Sequence, residues 1–209
     1  MVVTLVAHFL VGIAPINLLG KWYGWTYSHH GIRYTLWYLF HAALVLWYTG
    51  NFASVFSAGV AQYSGAMASM GLLAVFAWYW HRWHGHLHEK TLGLGHNARD
   101  FLSFHPKAKS AKIAEIAFQD VVLLGLLGVV HVQLSPLVLY LGAAVLGGAL
   151  HLMLVPILGR HIGLVFAAVA TASAPIAVYL MLAHGFLYAF AFHVLMYPLI
   201  LALSVRRYA

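Results

Sequence analysis

Residues 163–183 read GLVFAAVATASAPIAVYLMLA, a run that contains no charged side chain. An apolar helix of about 20 residues spans a hydrocarbon layer of about 30 Å, so this run predicts a transmembrane helix. The rest of the chain agrees, since hydrophobic residues make up 63% of its 209 residues and charged residues only 7%. A soluble domain of this size carries far more charge on its surface. The sequence therefore predicts an all-α integral membrane protein whose first partner is the lipid bilayer.

The apolar segments predict about seven transmembrane helices in a single domain, residues 1–209. The predicted spans cover residues 2–19, 34–48, 63–80, 118–134, 137–158, 163–183 and 186–205. With the N-terminus outside and the C-terminus cytoplasmic, all eleven lysines and arginines fall on the cytoplasmic side, as the positive-inside rule requires. A His-rich cytoplasmic loop at about 81–115 follows the third span, and its part 108–115 is expected to lie along the membrane surface. This arrangement suits the inner membrane of a prokaryote.

Charge and cysteine content exclude several classes of protein. The formal charge of +7 belongs to cytoplasmic loops that face anionic lipid headgroups, so nucleic acid is not an expected partner. The chain has no cysteine, which excludes disulfides, thiolate metal ligands and cysteine nucleophiles. It also lacks the His-Glu-x-x-His box of zinc proteases. An intramembrane protease is therefore not expected.

The histidines carry the main functional signal, because fifteen of them stand against four carboxylates. Histidine is the commonest metal ligand, and ionisable groups inside spanning helices usually have a function. Counting residues from the predicted cytoplasmic helix ends places His41 with His151 in an inner layer and His8 with His193 near the midplane. Each pair is a candidate cofactor site for copper or haem iron, with Met196 as a soft ligand for copper. The alternative for each histidine is an interhelical hydrogen bond.

Asp120 is the one carboxylate that lies clearly inside a predicted span. Three roles are open to it: pairing with a base such as Arg160, orienting a histidine, or carrying protons. Pairing with a nearby base is the commonest of the three.

A second group of histidines follows the third predicted helix, where residues 81–89 read HRWHGHLHE. Three of these histidines share one face if the helix continues. The pattern resembles the first histidine box of membrane-bound fatty acid hydroxylases and desaturases. That resemblance implies a cytoplasm-facing non-haem di-iron site, with His161 as a further ligand beside His81, His84, His88, His96 and His105. The alternative is an interfacial segment of the ordinary kind, rich in tryptophan.

The run HFLVGIAPINLLG at residues 8–20 resembles a motif of the CtaG-type cytochrome oxidase assembly family. In that family a histidine-bearing helix ends in Ala-Pro, a leucine pair and a glycine. LWY at 46–48 and AVFAWYW at 74–80 are similar to the family's tryptophan-rich helix ends, so the resemblance covers about the first 80 residues. It implies association with a haem-copper oxidase or another copper-containing respiratory complex, with His8 as a candidate ligand.

Three functional hypotheses follow from the sequence. The first is an accessory subunit or assembly factor of a respiratory electron-transfer complex that binds copper or haem iron through histidines. The second is a membrane-bound hydroxylase or desaturase with a di-iron site. The third is a structural membrane subunit without a cofactor. Only the second of these makes the chain an enzyme.

Overall fold

A computed structural model describes residues 1–56, 63–65, 67–68, 71–72, 75 and 106–205. Within these residues the chain is helical and contains no β-strand. We number the helices in chain order as α1 Val2–Tyr23, α2 Tyr27–Thr49, α3 Phe52–Phe56, α4 Pro106–Val130, α5 Pro136–Leu152, α6 Val155–Leu158, α7 Arg160–His184 and α8 Phe186–Val205. The predicted third span is described at a few positions only, and residues 81–105 lie outside the described part of the chain.

Three of the described helices are long and apolar enough to cross a membrane, namely α1, α4 over Lys107–Val130, and α7. The shorter α5 and the stretch Phe186–Tyr197 of α8 are apolar as well. Large apolar side chains point away from the bundle, such as Val3 at 82% exposed and Trp47 at 73%. A surface of this kind is unfavourable in water and is covered by lipid chains in a membrane. The molecule is an all-helical membrane protein.

The largest part of the core lies between α2 and α4, which pack along most of their length, with α1 against both. Tyr38 of α2 and Phe118 of α4 are fully buried in this interface. The two backbones lie close together at Gly31, where a Cβ atom would collide with the carbonyl oxygen of Lys107. Only glycine fits there.

A second part of the bundle forms around α7, which packs against α5, α6 and α8, while α8 also packs against α4. A single residue, Gly185, joins α7 to α8, with φ of 93°. This left-handed conformation suits glycine, because it has no side chain to clash with the backbone.

The largest difference from the predicted helices is the start of α4, at Pro106 instead of residue 118. The prediction that 108–115 lies along the membrane surface is wrong, because these residues form the first turns of α4 and bury Lys112 and Glu115. Lys112 Nζ donates to Glu115 Oε2 at 2.7 Å. Because the charges compensate each other inside the bundle, the helix can bury them.

Two further helix ends differ, and both change the depth of a histidine. α2 begins at Tyr27 instead of residue 34, because the Thr26 side chain accepts a hydrogen bond from the His29 amide and caps the helix. α5 ends at Leu152 instead of continuing to 158. Pro156 follows in the short α6, and proline has no amide hydrogen with which to continue the ladder.

Candidate functional site

Two histidines from different helices meet inside the bundle. His8 Nε2 of α1 lies 2.9 Å from His41 Nδ1 of α2, so one nitrogen donates a hydrogen bond to the other. His41 lies fourteen residues after Tyr27 and eight before Thr49, which brings it to the depth of His8 rather than to the end of its helix. We call His8 and His41 the histidine pair.

Aromatic rings enclose the histidine pair. The ring centroid of Trp37 lies 4.6 Å from that of His41, that of Phe118 lies 5.9 Å from it, and that of Tyr48 lies 5.5 Å from His8. The Trp37 indole also donates to the Gly12 carbonyl at 2.7 Å, which ties α2 to α1 beside the pair. The pair therefore sits in an apolar environment that limits access of water.

The histidine pair leaves polar atoms without partners. His41 is 5% exposed, and its Nε2 has no hydrogen-bond partner among the described residues, nor does the hydroxyl of Tyr48. Leaving a buried polar atom unpaired costs roughly 1–3 kcal/mol, and such atoms often mark a binding site. Both atoms are therefore available to a ligand.

The distance between the two imidazole nitrogens can be compared with the ligand spacing around a single metal ion and around a haem iron. Imidazole nitrogens lie about 2.0–2.1 Å from a bound transition metal, so two ligands at a right angle lie about 2.9 Å apart. Two axial ligands of one haem iron stand opposite each other, about 4 Å apart by the same bond length. The observed 2.9 Å equals the first of these spacings, and it is also the ordinary length of the hydrogen bond that the two imidazoles make. The described residues hold no group of three or more His, Cys, Asp or Glu that could hold a metal ion.

His193 has a different neighbour from the predicted one. Its Nδ1 donates to Asp120 Oδ1 at 2.9 Å, rather than facing His8. Asp120 is 2% exposed, and its second oxygen, Oδ2, has no hydrogen-bond partner among the described residues. The partner of Asp120 is His193 and not the predicted Arg160, and this contact fits two of the three roles, pairing with a base and orienting a histidine. Met196 is partly buried three residues further along α8.

His151 lies in the last turn of α5. Its Nδ1 donates to the Gly147 carbonyl at 2.8 Å, and its ring stacks on Phe166 of α7 with centroids 6.3 Å apart. The hydrogen bond of His41 goes to His8, so the structure does not bring His41 and His151 together as the predicted inner layer would.

A third polar group surrounds Glu115 of α4 and was not predicted from the sequence. Tyr27 Oη donates to Glu115 Oε2 at 2.9 Å, and Gln119 Nε2 donates to Glu115 Oε1 at 3.1 Å. Lys112 Nζ shares Oε2, and the Tyr38 hydroxyl lies 3.3 Å from that of Tyr27. We call these five residues the Glu115 cluster. The sequence signal was the spacing of Lys112, Glu115 and Gln119 by three and four, which puts them on one helix face.

The remaining predicted ligands are placed in part. His161 lies in the first turn of α7, and its Nε2 is buried without a hydrogen-bond partner among the described residues. The other predicted di-iron ligands lie outside the described residues: His81, His84, His88, His96 and His105.

Comparison with protein-family models, with curated protein sequences and with solved structures finds no match for this chain.

Proposed function

We propose that this chain is a seven-span protein of a prokaryotic inner membrane, with its N-terminus outside and its C-terminus cytoplasmic, that binds a redox metal through His8 and His41. Its role in this proposal is that of an accessory subunit or assembly factor of a respiratory electron-transfer complex. The observation that carries the proposal is the contact between the two imidazoles at 2.9 Å, within an apolar environment and with His41 Nε2 left unpaired.

Copper is the metal that this geometry favours. Neutral imidazole is a good ligand for copper, and the nitrogen separation suits two adjacent ligands of one ion. A haem iron held by the same two residues would require the distance between the two nitrogens to increase by about 1 Å, to the spacing of two axial ligands. The apolar rings around the pair would keep water away from the bound ion and so influence its potential.

The respiratory assignment rests on the resemblance of residues 8–20 to the CtaG-type family, and those residues include His8. In the structure this run lies in the single helix α1, which contains Pro15. The exposed apolar side chains of α1, such as Val3 and Leu10, are available to lipid or to the helices of a partner complex.

The test is the copper content per chain of detergent-purified protein, measured by mass spectrometry after copper loading and removal of excess metal. We expect about one copper per chain in the wild type and a loss of at least tenfold in His8→Ala and in His41→Ala. His131→Ala is the matched control, because His131 is exposed at the end of α4 and its Nδ1 bonds to the Leu127 carbonyl of its own helix.

Full copper content in both pair variants would contradict the proposal. Iron that persists in both variants and is lost on His84→Ala would support the di-iron hydroxylase or desaturase instead. Metal at background level in the wild type would leave the structural subunit as the better description, and the histidine pair would then be an interhelical hydrogen bond.

A further inference from the structure

Two ionic groups occur inside the membrane part of α4, one turn and a half apart. The Glu115 cluster includes a carboxylate and an amine that are 8% and 7% exposed, and Asp120 beside His193 is 2% exposed. Burying charges in this way is costly even when they are paired. Packing alone would not require them, since an apolar side chain of similar volume is often as stable or more so.

We propose that α4 carries a proton-transfer path, in which Glu115 passes protons between the Pro106 end of the helix and the buried pair of Asp120 and His193. The path is separate from the histidine pair and does not require a bound metal. It therefore goes beyond the proposed function, and the two proposals can be tested independently of each other.

Contacts on α8 connect the two ionic groups. Lys112 Nζ lies 5.8 Å from the ring centroid of Tyr27 on α2 and 5.4 Å from that of Tyr197 on α8. Tyr197 follows His193 by four residues on α8, which puts both on the same helix face. The Glu115 cluster thus reaches the face of α8 that bears His193.

The polar groups that surround the path come from three of the helices packed here. α2 contributes Tyr27 and Tyr38 to Glu115, α5 places His151 within electrostatic range of His193, and α8 contributes His193 and Tyr197. α7 presents the apolar ring of Phe166 to His151 and Tyr197. The groups that face the path are Tyr27, Tyr38, Lys112, Asp120, His151, His193 and Tyr197.

The chemistry needs one proton and no other reactant. A proton from the aqueous end of α4 adds to the Glu115 carboxylate, and its ion pair with Lys112 ends. Five residues along the helix separate Glu115 from Asp120, about 7.5 Å of rise, so the path requires one or two waters between them. The proton then leaves Glu115 and adds to Asp120 Oδ2, the oxygen with no hydrogen-bond partner among the described residues. Oδ1 keeps its hydrogen bond to His193 Nδ1 throughout.

The test follows the protonation of Asp120 directly, in metal-free protein in lipid nanodiscs. Aspartate labelled with carbon-13 at the carboxyl group limits the isotope-shifted infrared bands to two residues, because the chain contains only Asp100 and Asp120. A photolysed caged acid releases protons, and time-resolved infrared spectra record the loss of the carboxylate band. The band that disappears in Asp120→Asn belongs to Asp120. We expect Glu115→Gln to slow protonation of Asp120 at least tenfold, while His131→Gln leaves the rate within twofold of the wild type.

A rate in Glu115→Gln within twofold of the wild type would overturn the path. A band assigned to Asp120 that does not respond to the released protons would overturn it as well. Glu115→Gln removes only one charge of the ion pair with Lys112, so the double variant Lys112→Met with Glu115→Gln removes both charges together. That variant should be as slow as the single one, and protonation at the wild-type rate in a folded double variant would also overturn the proposal.

Discussion

Phe118 is the residue on which the histidine pair depends most for its position. It is fully buried on α4, and its ring lies within 6.2 Å of those of His8 and His41, by centroid. Tyr38 stacks on its other side at 6.1 Å. One aromatic side chain therefore holds α1 and α2 in register with α4.

We expect Phe118→Ala to lower the free energy of unfolding by about 3–5 kcal/mol, because the buried ring is replaced by a cavity. The change should also loosen the histidine pair and weaken metal binding. Unfolding in increasing fractions of sodium dodecyl sulfate measures the stability. Leu146→Ala is the control, since Leu146 is 64% exposed on α5 and its truncation should change stability by less than about 0.5 kcal/mol. Equal effects of the two substitutions would contradict this role of Phe118.

Individual residues of the site were predictable to different degrees. His8, His41, Asp120 and His193 stand out in the sequence because they are ionisable groups within apolar segments. Their partners could not be found by counting residues from helix ends, since helix order and helix starts decide which side chains meet. Lys112 was missed because a lysine near a predicted helix end ordinarily lies in the aqueous loop.

The packing of α2 on α4 gives a prediction at the scale of the element. Gly31→Ala should destabilise the protein by about 1–3 kcal/mol, because its Cβ would collide with the backbone of Lys107 and push the helices apart. Gly128→Ala on α4 is the matched control, since a Cβ there meets nothing within 4 Å. Alanine favours the helix by about 1 kcal/mol over glycine, so this control should be neutral or stabilising. If the unfolding curves of the two variants coincide, the close approach of the helices at Gly31 is unimportant for stability.

The helices themselves were predicted best where the chain is most apolar. The predicted spans 163–183 and 186–205 correspond to α7 and α8 nearly residue for residue. The prediction was wrong for the start of α4, because the run of apolar residues begins only after the charged residues Lys112 and Glu115, whereas the helix includes them. Lys112 and Glu115 form an ion pair three residues apart, a contact that only the helix makes possible.

The arrangement of the whole molecule in the membrane can be tested with single cysteines, because the natural chain has none. In the proposed orientation Val132, exposed between α4 and α5, faces the outside, and Lys21, near the end of α1, faces the cytoplasm. A membrane-impermeant maleimide applied to intact cells should label Val132→Cys, and it should label Lys21→Cys only after the cells are opened. The reverse pattern would invert the orientation, and labelling of both from outside would contradict the number of spans between them.

The single-residue connection at Gly185 has a consequence for biosynthesis. A link this short leaves no hydrophilic segment that could wait in water while one helix enters the bilayer before the other. We therefore expect α7 and α8 to partition from the translocon into the bilayer as one helical hairpin. Nascent chains that have exposed α7 but not yet α8 should remain beside the insertion machinery, and they should move into lipid together once both helices have been synthesised.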